Sequence, residues 1–340
     1  MLKLSFYKHT SIFKTPGGTS RGILHTKDSW ILTLTKQDYP QIKGMGEVSI
    51  IEQLSIDNPH LIEAKLQWLC TQINNDLSLL MAELDPFPAI QFGLETAFLD
   101  LQTGGKQVLF PTDFTRGTKG IAMNGLVWMG TFAEMHQQLQ EKIASGFTCI
   151  KIKVGAIDFE QELSLLKQIR TAFSSGEIEI RVDANGAFPP QEAEEKLKRL
   201  SAYDLHSIEQ PIKQGQWNEM ARLCEKNIIP IALDEELIGV TVKKQELLKS
   251  IKPQYIIVKP SLLGGFQKTD EWITVAEENN IAWWATSALE TNIGLNAIAQ
   301  WTATKNNPMP QGLGTGQLFT NNFPTPLQVK NGELWYHEMQ

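Results

Sequence analysis

From about Gly120 onward the chain repeats one pattern: a short apolar run followed by a longer amphipathic stretch, at a period of roughly 25–30 residues. Parallel neighbouring strands need a crossover of about a dozen residues or more, so such a pattern reads as βαβ units. Apolar runs fall at Leu126–Met129, Thr148–Val154, Ile178–Val182, Leu205–Ile208, Ile228–Leu233, Tyr255–Val258, Ile281–Ala285 and Met309–Leu313. Between them Phe132–Ala144, Asp158–Phe173, Gln191–Leu200 and Thr269–Asn279 have helical spacing. Eight strand–helix units in about 200 residues predict an α/β fold, a (β/α)8-type, modified TIM barrel over residues 121–320.

The first 120 residues have another texture. Leu2–Tyr7 and Ser29–Leu34 alternate as antiparallel strands do, around a turn-rich loop at Pro16–Gly22. A short segment follows Gly44-Met45-Gly46-Glu47-Val48, and helical patterns lie near Pro59–Asn74 and Pro88–Gln102. This predicts an N-terminal α+β capping domain over 1–120, completed by residues 321–340, whose Leu327–Tyr336 alternates and is expected to return to the N-terminal unit.

Composition narrows the function classes. A net charge of −7 with a pI near 5.5 argues against nucleic acid as the main partner, because phosphate binding needs clustered Lys and Arg. No apolar run reaches the roughly 18 residues of a membrane span, and Met1–Leu4 lacks the charged-then-apolar start of a signal peptide. Cys70, Cys149 and Cys224 are too sparse for a disulfide framework or a CxxC metal pair. A cytoplasmic protein acting on a small molecule is expected, with its oligomeric state open.

The strand ends carry the chemistry. Lys151-Ile152-Lys153, Asp183, Glu209, Asp234 and Lys259 recur at the βα period, so they stand at corresponding points of consecutive strands, at the barrel mouth. Each has a bland alternative: a solvated lysine face, a turn aspartate, an N-cap, a snorkelling lysine. Glu209 is hardest to dismiss, since a carboxylate ending an apolar strand needs a partner. Five such coincidences in phase favour a site. The period of two turns Lys151 and Lys153 inward and Ile152 and Val154 toward the helices. Three converging carboxylates repel unless a cation sits among them, and hard oxygen donors suit Mg2+ or Mn2+. A lysine beside such a cation and another ammonium is expected to have a lowered pKa and to serve as a base, removing a proton α to a carboxylate.

This set, Lys-x-Lys, Asp, Glu, Asp and Lys on successive strands, resembles the enolase superfamily in its muconate-lactonizing-enzyme-like branch, whose sites use a Lys or His base with Mg2+. With Gly18-Thr19-Ser20-Arg21-Gly22, Asp183-Ala184-Asn185-Gly186, Ile208-Glu209-Gln210-Pro211, Leu233-Asp234-Glu235, Lys259-Pro260-Ser261 and Ser287-Ala288-Leu289-Glu290-Thr291, the chain is most similar to the o-succinylbenzoate synthase family, over nearly its whole length. That resemblance implies dehydration of 2-succinyl-6-hydroxy-2,4-cyclohexadiene-1-carboxylate to 2-succinylbenzoate, in menaquinone biosynthesis. It implies Asp183, Glu209 and Asp234 as Mg2+ ligands, Lys153 as the base, Lys259 as a fixed cation facing the enediolate, and Lys151 as added positive charge. Loops at Gly17–Arg21 and Gly46–Ile50 would cap the mouth. Ser261, Asn185, Arg21, Ser287 and Gly312 are the expected substrate contacts.

Other signals weigh less. Gly312-Leu313-Gly314-Thr315-Gly316 lacks the G-x-G-x-x-G spacing, so no dinucleotide is expected, though its N–H groups could receive a substrate oxygen. His206 and Trp283-Trp284 read as packing. Two rival functions remain: an epimerase of dipeptides or N-acyl amino acids using Lys153 and Lys259 as opposed acid and base, and an inert binding barrel. Dipeptide epimerases of this branch usually carry Asp-x-Asp at the eighth strand, where this chain has Gln311–Gly316 without an acid.

Overall fold

The computed structural model describes residues 1–19, 22–155 and 157–338. In the N-terminal region β1 (Leu2–Thr19), β2 (Gly22–Lys36) and β3 (Tyr39–Ser49) form an antiparallel sheet in the order β1-β2-β3. Helices α1 (Ile62–Gln72), α2 (Leu77–Glu83) and α3 (Pro88–Gln102) follow. The alternation of the strands is what packs: Trp30, Leu32 and Leu34 from β2 and Val48 from β3 share a core with Ile62, Leu66 and Leu69 of α1 and Ile90, Leu94 and Ala97 of α3. Glycine sets the closest approach. A Cβ on Gly46 would lie 1.9 Å from the Gly93 carbonyl oxygen, and one on Gly44 2.1 Å from that of Ala97, so β3 and α3 touch backbone to backbone.

Two expectations for this region change. Pro16–Thr19 are strand rather than open loop: β1 runs through to Thr19 and pairs with Gly22–Leu24 after a register shift between Ile12 and Gly17. Gly46–Ile50 is strand rather than loop for most of its length. Gly46–Ser49 belong to β3, and Ile50 is buried in the cap core.

The barrel begins after β4 (Ile121–Ala122). Its strands are β5 (Gly125–Val127), β6 (Cys149–Lys153), β7 (Glu179–Asp183), β8 (Ser207–Glu209), β9 (Ile231–Leu233), β10 (Tyr255–Val258) and β11 (Ala282–Ala285), all parallel and in sequence order. The helices are α4 (Phe132–Ala144), α5 (Phe159–Ala172), α6 (Pro190–Leu200), α7 (Trp217–Lys226), α8 (Lys244–Ile251), a short α9 (Pro260–Leu263), α10 (Phe266–Glu278) and α11 (Asn292–Thr304). Ile150, Ile152, Ile180, Val182, Ile208, Ile231 and Leu233 pack outward with helix residues such as Leu166, Leu197 and Leu223. Alternation therefore leaves the opposite faces of these strands to line the interior.

The expected eighth strand, Met309–Leu313, shrinks to two bridging residues. Gln311 pairs with Met123, Gly312 pairs with Thr286, and the seam closes through Gln311 N–Ala122 O at 2.8 Å and Gly312 N–Ala285 O at 2.8 Å. Pro308 and Pro310 cannot donate to a ladder, which confines the pairing to the residues after them.

The C-terminal hairpin, β12 (Leu327–Lys330) and β13 (Glu333–Tyr336), pairs with β4, and Leu334 and Tyr336 join the barrel core. Leu327–Tyr336 was expected on the N-terminal unit. It instead covers the strand N-termini, because its apolar face meets Phe114, Ile121 and Phe147 rather than the capping sheet. The segment just before it returns to β1: Lys14 N donates to Leu318 O, and Thr320 N to Ile12 O. Among the described residues no helix is long and apolar enough to cross a membrane.

Candidate active site

The strand-end charges meet at the C-terminal mouth. Lys153 is in register with Asp183, and Asp183 with Glu209. Glu209 pairs with Ala232, so Asp234 stands two residues further along its strand; Ala232 pairs with Tyr255, so Lys259 stands four residues further along. The five residues thus climb a spiral round the mouth, the stagger that closes a barrel, rather than a level ring.

Inside this layer the lysines sit between the carboxylates. Asp183 Oδ2 accepts from Lys151 Nζ at 2.9 Å and Lys153 Nζ at 2.7 Å. Lys151 also pairs with Glu209 Oε2, and Lys259 with Asp234 Oδ2. Asp183, Glu209 and Asp234 are all buried. Burial alone would drive these groups toward neutrality, and pairing decides the outcome. For Asp183, burial raises the carboxyl pKa but the charges of Lys151 and Lys153 outweigh it and hold it well below the usual range. For Glu209, burial and the charge of Asp183 push it well above, because its lysine neighbour is shared.

The carboxylates around Lys151 and Lys259 act in the opposite sense to the expected cation. Burial works against the charge of each, yet Asp183, Glu209 and Asp234 around Lys151, and Asp234, Glu209 and Glu235 around Lys259, push both upward.

Asn185, in a left-handed conformation at φ 45°, closes the Lys153 side. Its Oδ1 accepts from Lys153 Nζ at 2.7 Å, its backbone N–H donates to Asp183 Oδ1 at 3.0 Å, and its Nδ2 donates to Glu235 Oε1 at 3.0 Å. Asn185 therefore holds the lysine. Ser261 is fully buried and its hydroxyl is bound to Glu290. Ser287 Oγ donates to Gly312 O at 3.2 Å and lies 2.8 Å from Thr315 Oγ1. Gly312 faces Thr286, where a Cβ would lie 2.5 Å from Thr286 Cγ2. Arg21 and the loop centre at Ser20–Arg21 lie outside the described residues.

Sequence reasoning gave no site role to Glu235 or Gln210, and took Glu290 only as part of a lining segment, Ser287–Glu290. Glu235, read as a helix-start acid, is buried beside Asp234, and burial and that charge raise its pKa. Gln210, at φ 39°, presents Oε1 to Asp234 N at 3.2 Å and Nε2 to Glu236 Oε2 at 3.0 Å. Glu290 lies between Ser261 and the Ala288 N–H. The run Asp234-Glu235-Glu236 could have signalled Glu235, since three successive acids at an apolar strand end exceed what a helix start needs.

As the side chains stand, no group of three or more Asp, Glu, His or Cys among the described residues is gathered to hold an ion, because the carboxylates are turned to lysines. The donor set nevertheless fits a hard divalent cation. Glu209 Oε1 is buried without a hydrogen-bond partner, in a field where Asp183 and Asp234 already crowd negative charge.

Comparison with known proteins places this geometry. The enolase C-terminal domain-like family matches residues 134–338. The chain is 48% identical to the o-succinylbenzoate synthase of Desulfotalea psychrophila (strain LSv54 / DSM 12343), over 98% of each chain. The chain belongs to the o-succinylbenzoate synthase family of the enolase superfamily. A crystal structure of MenC from Desulfotalea psychrophila LSv54 superposes with a TM-score of 0.87 at 45% identity, covering 98% of this chain and 99% of that one. The L-Ala-D/L-Glu epimerase from Bacillus subtilis, in a substrate-liganded complex, superposes at 0.85 with 19% identity, covering 98% and 95%. That second likeness shows the superfamily fold alone. The o-succinylbenzoate synthases are lyases, and the paired lysines and buried carboxylates belong to a fold that serves several reactions.

Proposed function

We propose that this protein dehydrates 2-succinyl-6-hydroxy-2,4-cyclohexadiene-1-carboxylate to 2-succinylbenzoate, a step of menaquinone biosynthesis, with Mg2+ or Mn2+ as cofactor. The observation that carries the reading is the placement of Lys153 and Lys259, at the ends of β6 and β10, across the barrel from one another with three buried carboxylates between them. Identity of 48% to an o-succinylbenzoate synthase along the whole chain supports the choice of reaction.

Asp183, Glu209 and Asp234 would hold the cation. When bound, it supplies positive charge against the substrate carboxylate and against the charge that grows there as the α-proton leaves. Lys153, held by Asp183 and Asn185, takes that proton. The ring carbon–oxygen bond at C6 then breaks on the same face, and the Lys153 ammonium returns the proton to the departing hydroxyl, which leaves as water. The atoms balance as substrate to 2-succinylbenzoate plus H2O, with Lys153 restored. Lys259, paired with Asp234, stays charged and faces the developing enediolate. Lys151, tied to Asp183 and Glu209, fixes the carboxylate layer and moves no proton.

The opposed lysines also favour a second reading, a two-base epimerase of N-acyl amino acids or dipeptides. The absence of an acid in Gln311–Gly316 weighs against dipeptides. One comparison separates the readings. Lys259→Arg keeps a cation that cannot give up its proton, so it retains partial dehydration, whereas Lys153→Arg retains none; general acid–base catalysis is worth about 10²–10⁴-fold. Equal and complete loss in both variants, with racemisation of N-acyl amino acids by the parent protein, would assign the epimerase.

A further inference from the structure

The capping domain reaches into the barrel through two carboxylates, one buried and one half-buried, that the proposed chemistry does not use. Glu95, on α3, accepts from the Phe266 N–H and, at 3.1 Å, from the Gln267 N–H. Those amides open α10, whose N-cap residue, Gly265, has no side chain with which to bind them. Glu47, on β3, accepts from Thr291 N at 2.9 Å, Thr291 Oγ1 at 2.6 Å and Gly294 N at 3.0 Å, at the start of α11. The first N–H groups of a helix have no partner within it and carry its positive dipole end, so a carboxylate is the group that satisfies both needs.

Each acceptor sits in a hollow that only glycine leaves. A Cβ on Gly265 would lie 2.1 Å from Glu95 Oε2, and one on Gly294 2.9 Å from Glu47 Oε2. Glu47 is fully buried, and Ser29 links it to the buried ammonium of Lys27: Ser29 Oγ donates to Glu47 Oε1 at 2.8 Å and lies 3.1 Å from Lys27 Nζ.

Both contacts converge on one short element. Lys259 is the N-cap of α9, a four-residue helix with few hydrogen bonds of its own. Its C-terminal end runs through Gly264 and Gly265 directly into the turn that Glu95 grips. Its flank is held by the Ser261–Glu290 bond, and Glu290 immediately precedes Thr291, which Glu47 grips. We infer that Glu47 and Glu95 are positioning residues: from the capping domain they clamp α9 on two sides and set where Lys259 stands in the mouth. Asp183, Glu209 and Asp234 stand at the ends of β7, β8 and β9, none of which Glu47 or Glu95 touches. The inference rests on the reading of Lys259 as part of the active site.

The test compares Glu47→Gln and Glu95→Gln with the parent at pH 8, where Glu95, pushed up by burial to about 7, is ionised. Hydrogen exchange followed by mass spectrometry should show faster exchange at 259–263 in both variants, with 179–185 unchanged, and calorimetric Mg2+ affinity within about twofold of the parent. Turnover should fall by roughly tenfold or more with KM within about threefold, since a small misplacement of a reacting group costs rate rather than binding. Unchanged exchange at 259–263, or full turnover in variants that have merely lost melting temperature, would overturn the inference. If the parent itself fails to dehydrate the substrate, the functional reading fails, and the exchange data still decide whether the clamp exists. Should either Gln variant not fold, Glu47→Asp or Glu95→Asp, which keeps the charge but withdraws it by one methylene, takes its place with the same expected outcome.

Discussion

Among the residues of the mouth, Asp183 and Glu209 carry opposite perturbations although they stand on adjacent strands. Asp183 has two lysines and is held as an anion; Glu209 shares one of them and meets two like charges. A divalent cation entering this layer would find Glu209 Oε1 without a hydrogen-bond partner. Removing the charge while keeping the shape, as in Asp183→Asn, Glu209→Gln and Asp234→Asn, should weaken Mg2+ binding by about tenfold or more in each case, because even outer-sphere changes cost about 10–100-fold. Titration calorimetry measures this, and unchanged affinity in all three variants would remove the metal from these residues. Asn185→Ala should lower turnover more than substrate affinity, since it frees the Lys153 ammonium from one of its two anchors. The five charged strand ends were legible because the βα period puts them in phase. The spiral they form was not legible, since pairing register depends on stagger between strands. Nor could local pattern reveal the partners Glu47 and Glu290, which lie 244 and 29 residues from the groups they bind.

At the scale of elements, helix periodicity served well. Pro88–Gln102 and Phe132–Ala144 fold over the residues read from the sequence, each with an apolar stripe that finds a core. The β1–β2 ribbon is longer than its pattern suggested, because Lys8–Ser11 and Thr26–Ser29 pair by backbone while much of their side-chain surface stays polar. The prolines at 308 and 310 shortened the eighth strand, and α2 was hidden by its length of seven residues.

Two predictions belong here. Gly46→Ala would drive a methyl into the Gly93 carbonyl and separate β3 from α3, at a cost of about 3 kcal/mol, seen as a lower denaturant midpoint with unchanged slope. Asp57 caps α3 through the Ala89 N–H at 3.1 Å, while its other oxygen is buried without a partner and burial lifts its pKa to about 7. The folded state therefore holds a proton that the unfolded chain, with an aspartate near 3.9, has lost over the window between those values. Stability from this group falls as pH rises from about 4 to 7, and lies at its lowest above 7. Asp57→Asn should remove that dependence, so the variant gains on the parent by about 2–3 kcal/mol between pH 5 and pH 8. Melting curves at the two pH values that shift in parallel for parent and variant would contradict it.

At the scale of the whole molecule, one large hydrophobic core lies in the cap and one around the barrel, and their seam carries both apolar contacts, such as Phe92 on Phe266 and Phe13 on Phe319, and charged ones. Glu47 and Glu95 from the cap bind barrel backbone and the Thr291 hydroxyl there, which ties the two units more specifically than apolar contact would. The barrel was legible from its repeat, and the cap as an α+β unit from its change of texture. The place of the C-terminal hairpin was not, because alternation marks a strand without naming its partner. The reaction at the mouth is what the fold serves. Purified protein with Mg2+ should convert 2-succinyl-6-hydroxy-2,4-cyclohexadiene-1-carboxylate to 2-succinylbenzoate, followed by the ultraviolet change as the ring becomes aromatic, and both a metal chelator and Lys153→Ala should abolish it. Absence of that conversion by the folded, Mg2+-loaded parent, or its persistence in Lys153→Ala, would contradict the account.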